Sequence, residues 1–111
     1  MDTFLNYQNI IKKILLDNAQ YKPAYGAIES HVVFDDKHCR YTLLEIGWEN
    51  KKYIHDCIIH VEIIKDKIWI QYDGTEQGIA IDLLEAGISY NEIVLGFHHP
   101  KLRKYTDFAV A

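Results

Sequence analysis

The feature that most constrains this fold is a series of four stretches rich in β-branched and aromatic residues. They cover residues 28–36, 39–48, 53–64 and 68–73, and only two to four residues separate each from the next. Connections this short join antiparallel neighbours, because parallel strands need a long crossover. The order of the stretches therefore predicts a β-meander of about four antiparallel strands.

Alternation along the third and fourth stretches predicts the two faces of this sheet. On the third, one side carries Tyr53, His55, Cys57, Ile59, Val61 and Ile63, whereas the other mixes polar and apolar residues. The mixed side would expose Ile58 and Ile64, joined from the fourth stretch by Trp69. Exposed apolar residues on one sheet face indicate an interaction surface. We therefore treat these three residues as a candidate partner surface, which a homodimer would satisfy as well as another protein.

Helical periodicity flanks the meander. Apolar residues recur at helical spacing over 4–21, before a Lys22-Pro23 pair that favours the end of a helix. A second helix is predicted within 75–89, followed by a strand at 92–97 and a possible helical turn at 101–105. The predicted fold is α+β: an N-terminal helix packed on the meander, then a helix and a short fifth strand. A length of 111 residues predicts one domain over 1–111.

The charge of the chain argues against a protein whose main role is to bind nucleic-acid phosphates. The formal net charge is −4, and the only basic cluster is formed by Lys101, Arg103 and Lys104. That trio is a candidate nucleic-acid contact, with a solvated basic tail as the alternative. The two cysteines have no CxxC spacing, and no long apolar run is present. These features predict a cytoplasmic protein with reduced thiols and no membrane segment.

The block Asp73-Gly74-Thr75-Glu76 has two interpretations. In the first, Asp73 ends the fourth strand and caps the following helix, with Glu76 in the reciprocal position. In the second, Asp73 and Glu76 form a metal or acid–base pair together with His98. Capping accounts for the block without further assumptions, so we favour it. The spacing of the histidines predicts no metal site, and no phosphate-binding loop is present, so no cofactor is expected.

Several stretches resemble the XisI family. The resemblance rests on "QYDGTEQGIAIDLLEAGI", on "EIVLGFHHPKLRKYTDFAVA", on the opening "YQNIIKKILLDNAQYKP" and on the central "YTLLEIGWENKKYIHDCIIHVEIIKDKIWIQYDGT", so it covers essentially the whole chain. The familiar form of the block reads QHDGTE, and this chain has Tyr72 at the histidine, which speaks against a metal ligand there. The resemblance implies an excision controlling factor for a DNA element. It also implies a companion, XisH, that is similar to restriction-type nucleases.

Three functional hypotheses follow, in descending order. The first is a non-enzymatic regulatory factor for programmed DNA-element excision that acts through an XisH-like partner. The second is direct DNA binding as an accessory factor through the basic trio. The third is a small metal-dependent hydrolase or nuclease subunit that uses Asp73, Glu76 and His98.

Overall fold

A computed structural model describes residues 3–20 and 27–111, and it confirms the α+β architecture. The predicted role of Lys22 and Pro23 in ending the first helix lies outside the described residues. The elements in chain order are α1 (Thr3–Ala19), β1 (Ala27–Asp35), β2 (Arg40–Glu49), β3 (Lys52–Ile64), β4 (Lys67–Asp73), α2 (Ile79–Glu85), a 3₁₀ turn (Tyr90–Glu92), β5 (Ile93–Leu95) and α3 (Pro100–Arg103).

The five strands form one sheet in the order β1-β2-β3-β4-β5. Neighbours are antiparallel as far as β4, whereas β5 lies parallel to β4, so β4, α2 and β5 form a β-α-β crossover. Between β3 and β4 the chain turns through Lys65 and Asp66, which both have positive φ (49° and 67°). Two consecutive left-handed residues suit the twist of a tight hairpin, which explains how so short a connection closes.

Both α1 and α2 pack on one face of the sheet and form the core there. Their apolar stripes meet the inward side chains of the central strands, and the fully buried members are Ile11, Leu15, Tyr41, Ile59, Val61, Ile68, Ile70, Ile79, Leu83 and Ile93. Each such aliphatic side chain contributes about 1.5–3 kcal/mol through removal from water. This burial, rather than helix propensity, holds the seven-residue α2 in place.

The β1–β2 turn fastens α1 to the edge of the sheet through Asp36. Its carboxylate accepts hydrogen bonds from Lys12 Nζ (2.6 Å) and from Tyr41 Oη (2.9 Å), and its backbone oxygen accepts one from Gln8 Nε2 (3.3 Å). The hydrogen bond from Lys12, followed by that from Tyr41, holds the pKa of the Asp36 carboxyl below its ordinary value. The pKa of the Tyr41 phenol is raised, first by burial and then by this hydrogen bond.

Two β-bulges change which side chains share a face. Leu43 pairs with Ile59 but Leu44 pairs with Cys57, so Ile58 is an extra residue in β3. Likewise Val61 pairs with Ile70 but His60 pairs with Tyr72, so Gln71 is extra in β4. Because each extra residue reverses the alternation beyond it, the uninterrupted alternation predicted from sequence is wrong on both strands.

The predicted faces are wrong for the part of β3 that precedes its bulge and for the part of β4 that follows its bulge. Tyr53, His55 and Cys57, predicted to share a side with Ile59, lie instead on the face away from the helices. Ile58 packs against the core on the helix-covered side, so its prediction as an exposed side chain of the opposite face is wrong. Tyr72, predicted to share a side with Ile70, instead points away from the helices and is 51% exposed.

β2 and β3 continue beyond the end of β4 as an arm. β4 ends where Asp73 pairs with Ile59, whereas β3 starts seven residues earlier, at Lys52, and pairs there with β2 alone. At Gly47 in this arm, a Cβ would lie 2.0 Å from the backbone oxygen of Ala27, so β1 can approach only a glycine. The arm accounts for a radius of gyration of 14.7 Å, against about 13 Å for a compact chain of this length.

No helix in the described part of the chain is long and apolar enough to cross a bilayer.

Candidate functional site

The loop of residues 73–78, hereafter the DGTE loop, is organised by the carboxylate of Asp73. Its Oδ1 accepts hydrogen bonds from Thr75 N (3.0 Å) and Thr75 Oγ1 (2.6 Å), and its Oδ2 accepts one from Ile79 N (2.7 Å). Thr75 Oγ1 in turn accepts a hydrogen bond from Gly78 N (3.0 Å). The carboxylate thus connects the end of β4 to the first backbone N–H of α2 and acts as a cap for that helix.

The details of this cap differ from the sequence prediction. α2 begins at Ile79, so four residues predicted to be helical belong to the loop instead. Glu76 is exposed and forms no hydrogen bond back to Asp73, so the predicted reciprocal arrangement is wrong. Gly74 completes the loop: its backbone N–H donates to Ile58 O (2.7 Å) at the bulge of β3. The four-residue block is therefore built into the fold through Asp73, Gly74 and Thr75.

An open groove of about 930 Å³ lies between α1, α2 and the DGTE loop. Among the described residues that line it, Lys13 is the only cation, and five carry carboxylates: Asp17, Glu45, Glu76, Asp82 and Glu85. The pKa of Asp82 is raised above its ordinary value, first by burial and then by the charge of Glu85. The groove would repel anions such as a phosphate backbone.

The hydrolase constellation is not assembled in the described residues. The ring of His98 packs edge-on against Phe97 (4.7 Å between centroids), and no described hydrogen bond or ion pair joins it to Asp73 or Glu76. Among the described residues, no group of three or more histidine, cysteine or acidic side chains could hold a metal ion. The Asp73 oxygens are also occupied by donors from the loop and from α2, which leaves the carboxylate poorly placed to act as a general base.

Arg103 holds together residues 96–111, hereafter the C-terminal segment, and connects them to β4 through the Trp69 ring. Its guanidinium donates from Nε to His98 O (3.1 Å), from Nη2 to Gly96 O (3.3 Å) and from Nη1 to Val110 O (3.4 Å). The same group lies over the Trp69 ring, 5.1 Å from its centroid. A rigid fork of donors over an aromatic face is an arrangement that lysine cannot reproduce. Sequence reasoning grouped Arg103 with the lysines and missed this role.

This geometry alters two of the sequence predictions. Arg103, predicted as a phosphate contact, already donates to three backbone oxygens, so of the basic trio only Lys101 and Lys104 remain as exposed cations. Trp69 and Ile64 both lie on the predicted side of the sheet, away from the helices. Both are half-buried, and the Trp69 ring is in contact with Arg103.

Four apolar side chains of the C-terminal segment stand out of the fold: Phe97 (50% exposed), Leu102 (54%), Tyr105 (76%) and Val110 (56%). Phe108 points the other way and packs on Tyr90, with 5.0 Å between ring centroids. Ala109 completes the attachment by pairing with Val94 as an isolated parallel bridge. The segment is thus held in a fixed shape while it presents apolar groups beside Lys101 and Lys104. The exposure of these four side chains could not be predicted from sequence periodicity, because the residues are spaced irregularly.

The chain is similar to known proteins in both sequence and structure. The profile of a protein family described as XisI protein matches residues 1–110. A crystal structure described as fdxN element excision controlling factor XisI from Anabaena variabilis is 32% identical, with a TM-score of 0.85; the match covers 99% of this chain and all of that one. A XisI-like protein from the same organism is also 32% identical, with a TM-score of 0.90; the match covers 97% of this chain and 99% of that one. No curated sequence matches the chain.

Proposed function

Because this chain belongs to the XisI family, we propose that it is a non-enzymatic regulatory factor for the programmed excision of a DNA element, acting through a nuclease-like XisH partner. The excision role is supported by the description of the Anabaena variabilis relative as an excision controlling factor. A regulatory factor of this kind needs a surface that binds a protein rather than a centre that performs chemistry.

The observation that carries the proposal is the C-terminal segment. It exposes Phe97, Leu102, Tyr105 and Val110 while the Arg103 hydrogen bonds hold the backbone between them. Exposed aromatic and aliphatic groups on a fixed backbone bind at low entropic cost, since little has to be ordered when the partner arrives. Lys101 and Lys104 at the rim would favour an acidic patch on the partner through electrostatic steering.

The hydrogen bonds of the DGTE loop also support a regulatory rather than a catalytic role. Asp73 and Thr75 are engaged in hydrogen bonds that hold α2 to the sheet, so the most recognisable block of the sequence stabilises the fold.

Co-expression with an XisH-like protein, followed by affinity capture and light scattering, tests the proposal. We expect a stable heterocomplex with the wild-type chain and a loss of about tenfold or more in affinity for Leu102→Glu, since a charge would be buried at the contact. Ile81→Glu is the matched control: Ile81 is 45% exposed but lies on α2, on the opposite side of the sheet. Absence of a complex with the wild type, or equal loss in both variants, would overturn the proposal.

A second candidate function, direct DNA binding, is favoured by one observation: Lys101 and Lys104 are both exposed on the same short segment. Two phosphate contacts predict a shallow salt dependence, with log K falling about 1.8 per tenfold rise in salt. Fluorescence anisotropy with labelled duplex DNA at low salt measures this slope. No binding, or binding that survives replacement of both lysines by glutamate, would rule out this function.

A further inference from the structure

A second exposed apolar surface lies on the face of the sheet away from α1 and α2. The strand register aligns the side chains of this face in cross-strand rows, and the exposed apolar surface is formed by the four rows nearest the tip of the arm. In order from the tip of the arm, the rows are Ala27, Trp48 and Tyr53; Glu29, Ile46 and His55; His31, Leu44 and Cys57; and Val33, Thr42, His60 and Tyr72. These thirteen side chains are hereafter the helix-free face. The fifth row, formed by Asp35, Arg40, Glu62 and Trp69, bounds this surface with charged groups, and Arg103 of the C-terminal segment lies over the Trp69 ring.

Aromatic side chains dominate the exposed area of this face. Trp48, Tyr53 and Tyr72 are 53%, 52% and 51% exposed, and Val33 is 51% exposed. The Trp48 and Tyr53 rings support each other at the tip of the arm, with 5.0 Å between centroids. At about 150–250 Å² per aromatic side chain, the three rings alone expose about 300 Å², already the size of the largest apolar patch on many monomers.

The face is also depleted in charge. About a quarter of the whole chain is charged, yet Glu29 is the one carboxylate among the thirteen residues, and no lysine or arginine occurs. Even Glu29 has a neighbour of potentially opposite charge, since its Oε2 lies 3.3 Å from His31 Nε2. Aromatic enrichment with few charges is the composition of the centre of a protein–protein interface.

We infer that the helix-free face binds the same face of a second copy of this chain. In a two-fold contact every group approaches its own counterpart, so a charged surface repels itself. For a chain of net charge −4, a nearly neutral apolar face is where two copies can meet without that penalty. A charged partner, in contrast, would be expected to meet a face with complementary charges. This inference does not depend on the excision role or on the C-terminal segment.

Size and geometry set the expected strength. The thirteen residues are about half of the 20–30 that each side of a standard interface provides. The dimer is therefore expected to bury about 800 Å² in total, at the weak end of specific interfaces, and to dissociate reversibly at micromolar concentration. The two sheets would stack about 10 Å apart, with aromatic side chains between them. Cys57, in the third row, would then face the partner across the contact.

Sedimentation equilibrium over about 1–200 µM tests the inference directly. We expect a reversible monomer–dimer equilibrium for the wild type and a dissociation constant raised about tenfold or more in Trp48→Glu. Val33→Glu and Ile81→Glu form a matched pair: both place a glutamate at a half-exposed aliphatic position, but only Val33 lies on the helix-free face. Val33→Glu should weaken the dimer, and Ile81→Glu should leave it unchanged, with circular dichroism confirming that each variant is folded.

Cross-linking provides a measurement that does not rely on disrupting the face. In a Cys39→Ser background, a bismaleimide matched to the about 10 Å separation of stacked sheets should join two copies through Cys57. The inference would be overturned if the wild type stayed monomeric over this range. It would also be overturned if the dimer persisted in both Trp48→Glu and Val33→Glu and could not be cross-linked through Cys57. A wild-type monomer whose complex with an XisH-like protein is lost in Trp48→Glu would overturn it too, since the face would then belong to that partner.

Discussion

Replacing Asp73 with alanine tests whether the most recognisable block of the sequence stabilises the fold. The substitution removes three hydrogen bonds, to Thr75 N, Thr75 Oγ1 and Ile79 N. Loss of a helix cap alone costs about 0.5–2 kcal/mol, and the hydrogen bonds to Thr75 add to that figure in a half-buried site. We expect the free energy of unfolding to fall by about 2–3 kcal/mol, which corresponds to a fall in Tm of about 8–15 °C for a chain of this size.

Urea unfolding monitored by circular dichroism measures this change. Asp73→Asn should lose about half as much as Asp73→Ala, because one carbonyl oxygen can still accept from Thr75 while the amide opposes Ile79 N. Glu76→Ala, in the same loop, is the control: Glu76 is exposed and should shift stability by less than about 0.5 kcal/mol. If Asp73→Ala were as stable as the wild type but failed to bind an XisH-like partner, the block would be a functional site and this reasoning would be refuted.

Two further predictions concern the attachments of the helices and of the C-terminal segment. Arg103→Lys keeps the charge but cannot reproduce the three hydrogen bonds to backbone oxygens or the stack on Trp69. Hydrogen exchange of the backbone amides in residues 96–111 should therefore accelerate in this variant. Unchanged exchange would show that other contacts hold the segment. Asp36→Asn should lower Tm at pH 7 by weakening the contact with Lys12. Because the pKa of Asp36 in the folded chain lies below its ordinary value of 3.8, that difference in Tm should shrink as the pH falls through 3.8 and below. A constant difference down to pH 2 would contradict this reasoning.

The sequence was sufficient to predict the order and type of the main elements. Short polar connections indicated the antiparallel pairing of β1 to β4, and helical spacing within 75–89 indicated the helix between β4 and β5. Ser89 and Glu92, three residues apart, form a capping box at the 3₁₀ turn, which is another signal readable from the local sequence. These signals are local, and local geometry favours them without help from the rest of the fold.

What could not be predicted depends on tertiary contacts. Nothing in "HDCIIHV" distinguishes Ile58 as a bulge residue, because the bulge is selected by the pairing of β3 with both neighbouring strands. The start of α2 at Ile79 is set by where Asp73 can reach from the end of β4, since the capping bond spans six residues. The role of Arg103 depends on Trp69, which stands 34 positions earlier and is brought near it only by the folded sheet.

Hydrogen exchange of the chain alone and in complex with an XisH-like protein tests the central claim most directly. The account predicts that complex formation slows exchange across residues 96–111, with little change at the DGTE loop or on α2. A complex that forms but protects the DGTE loop and leaves the C-terminal segment unchanged would contradict it.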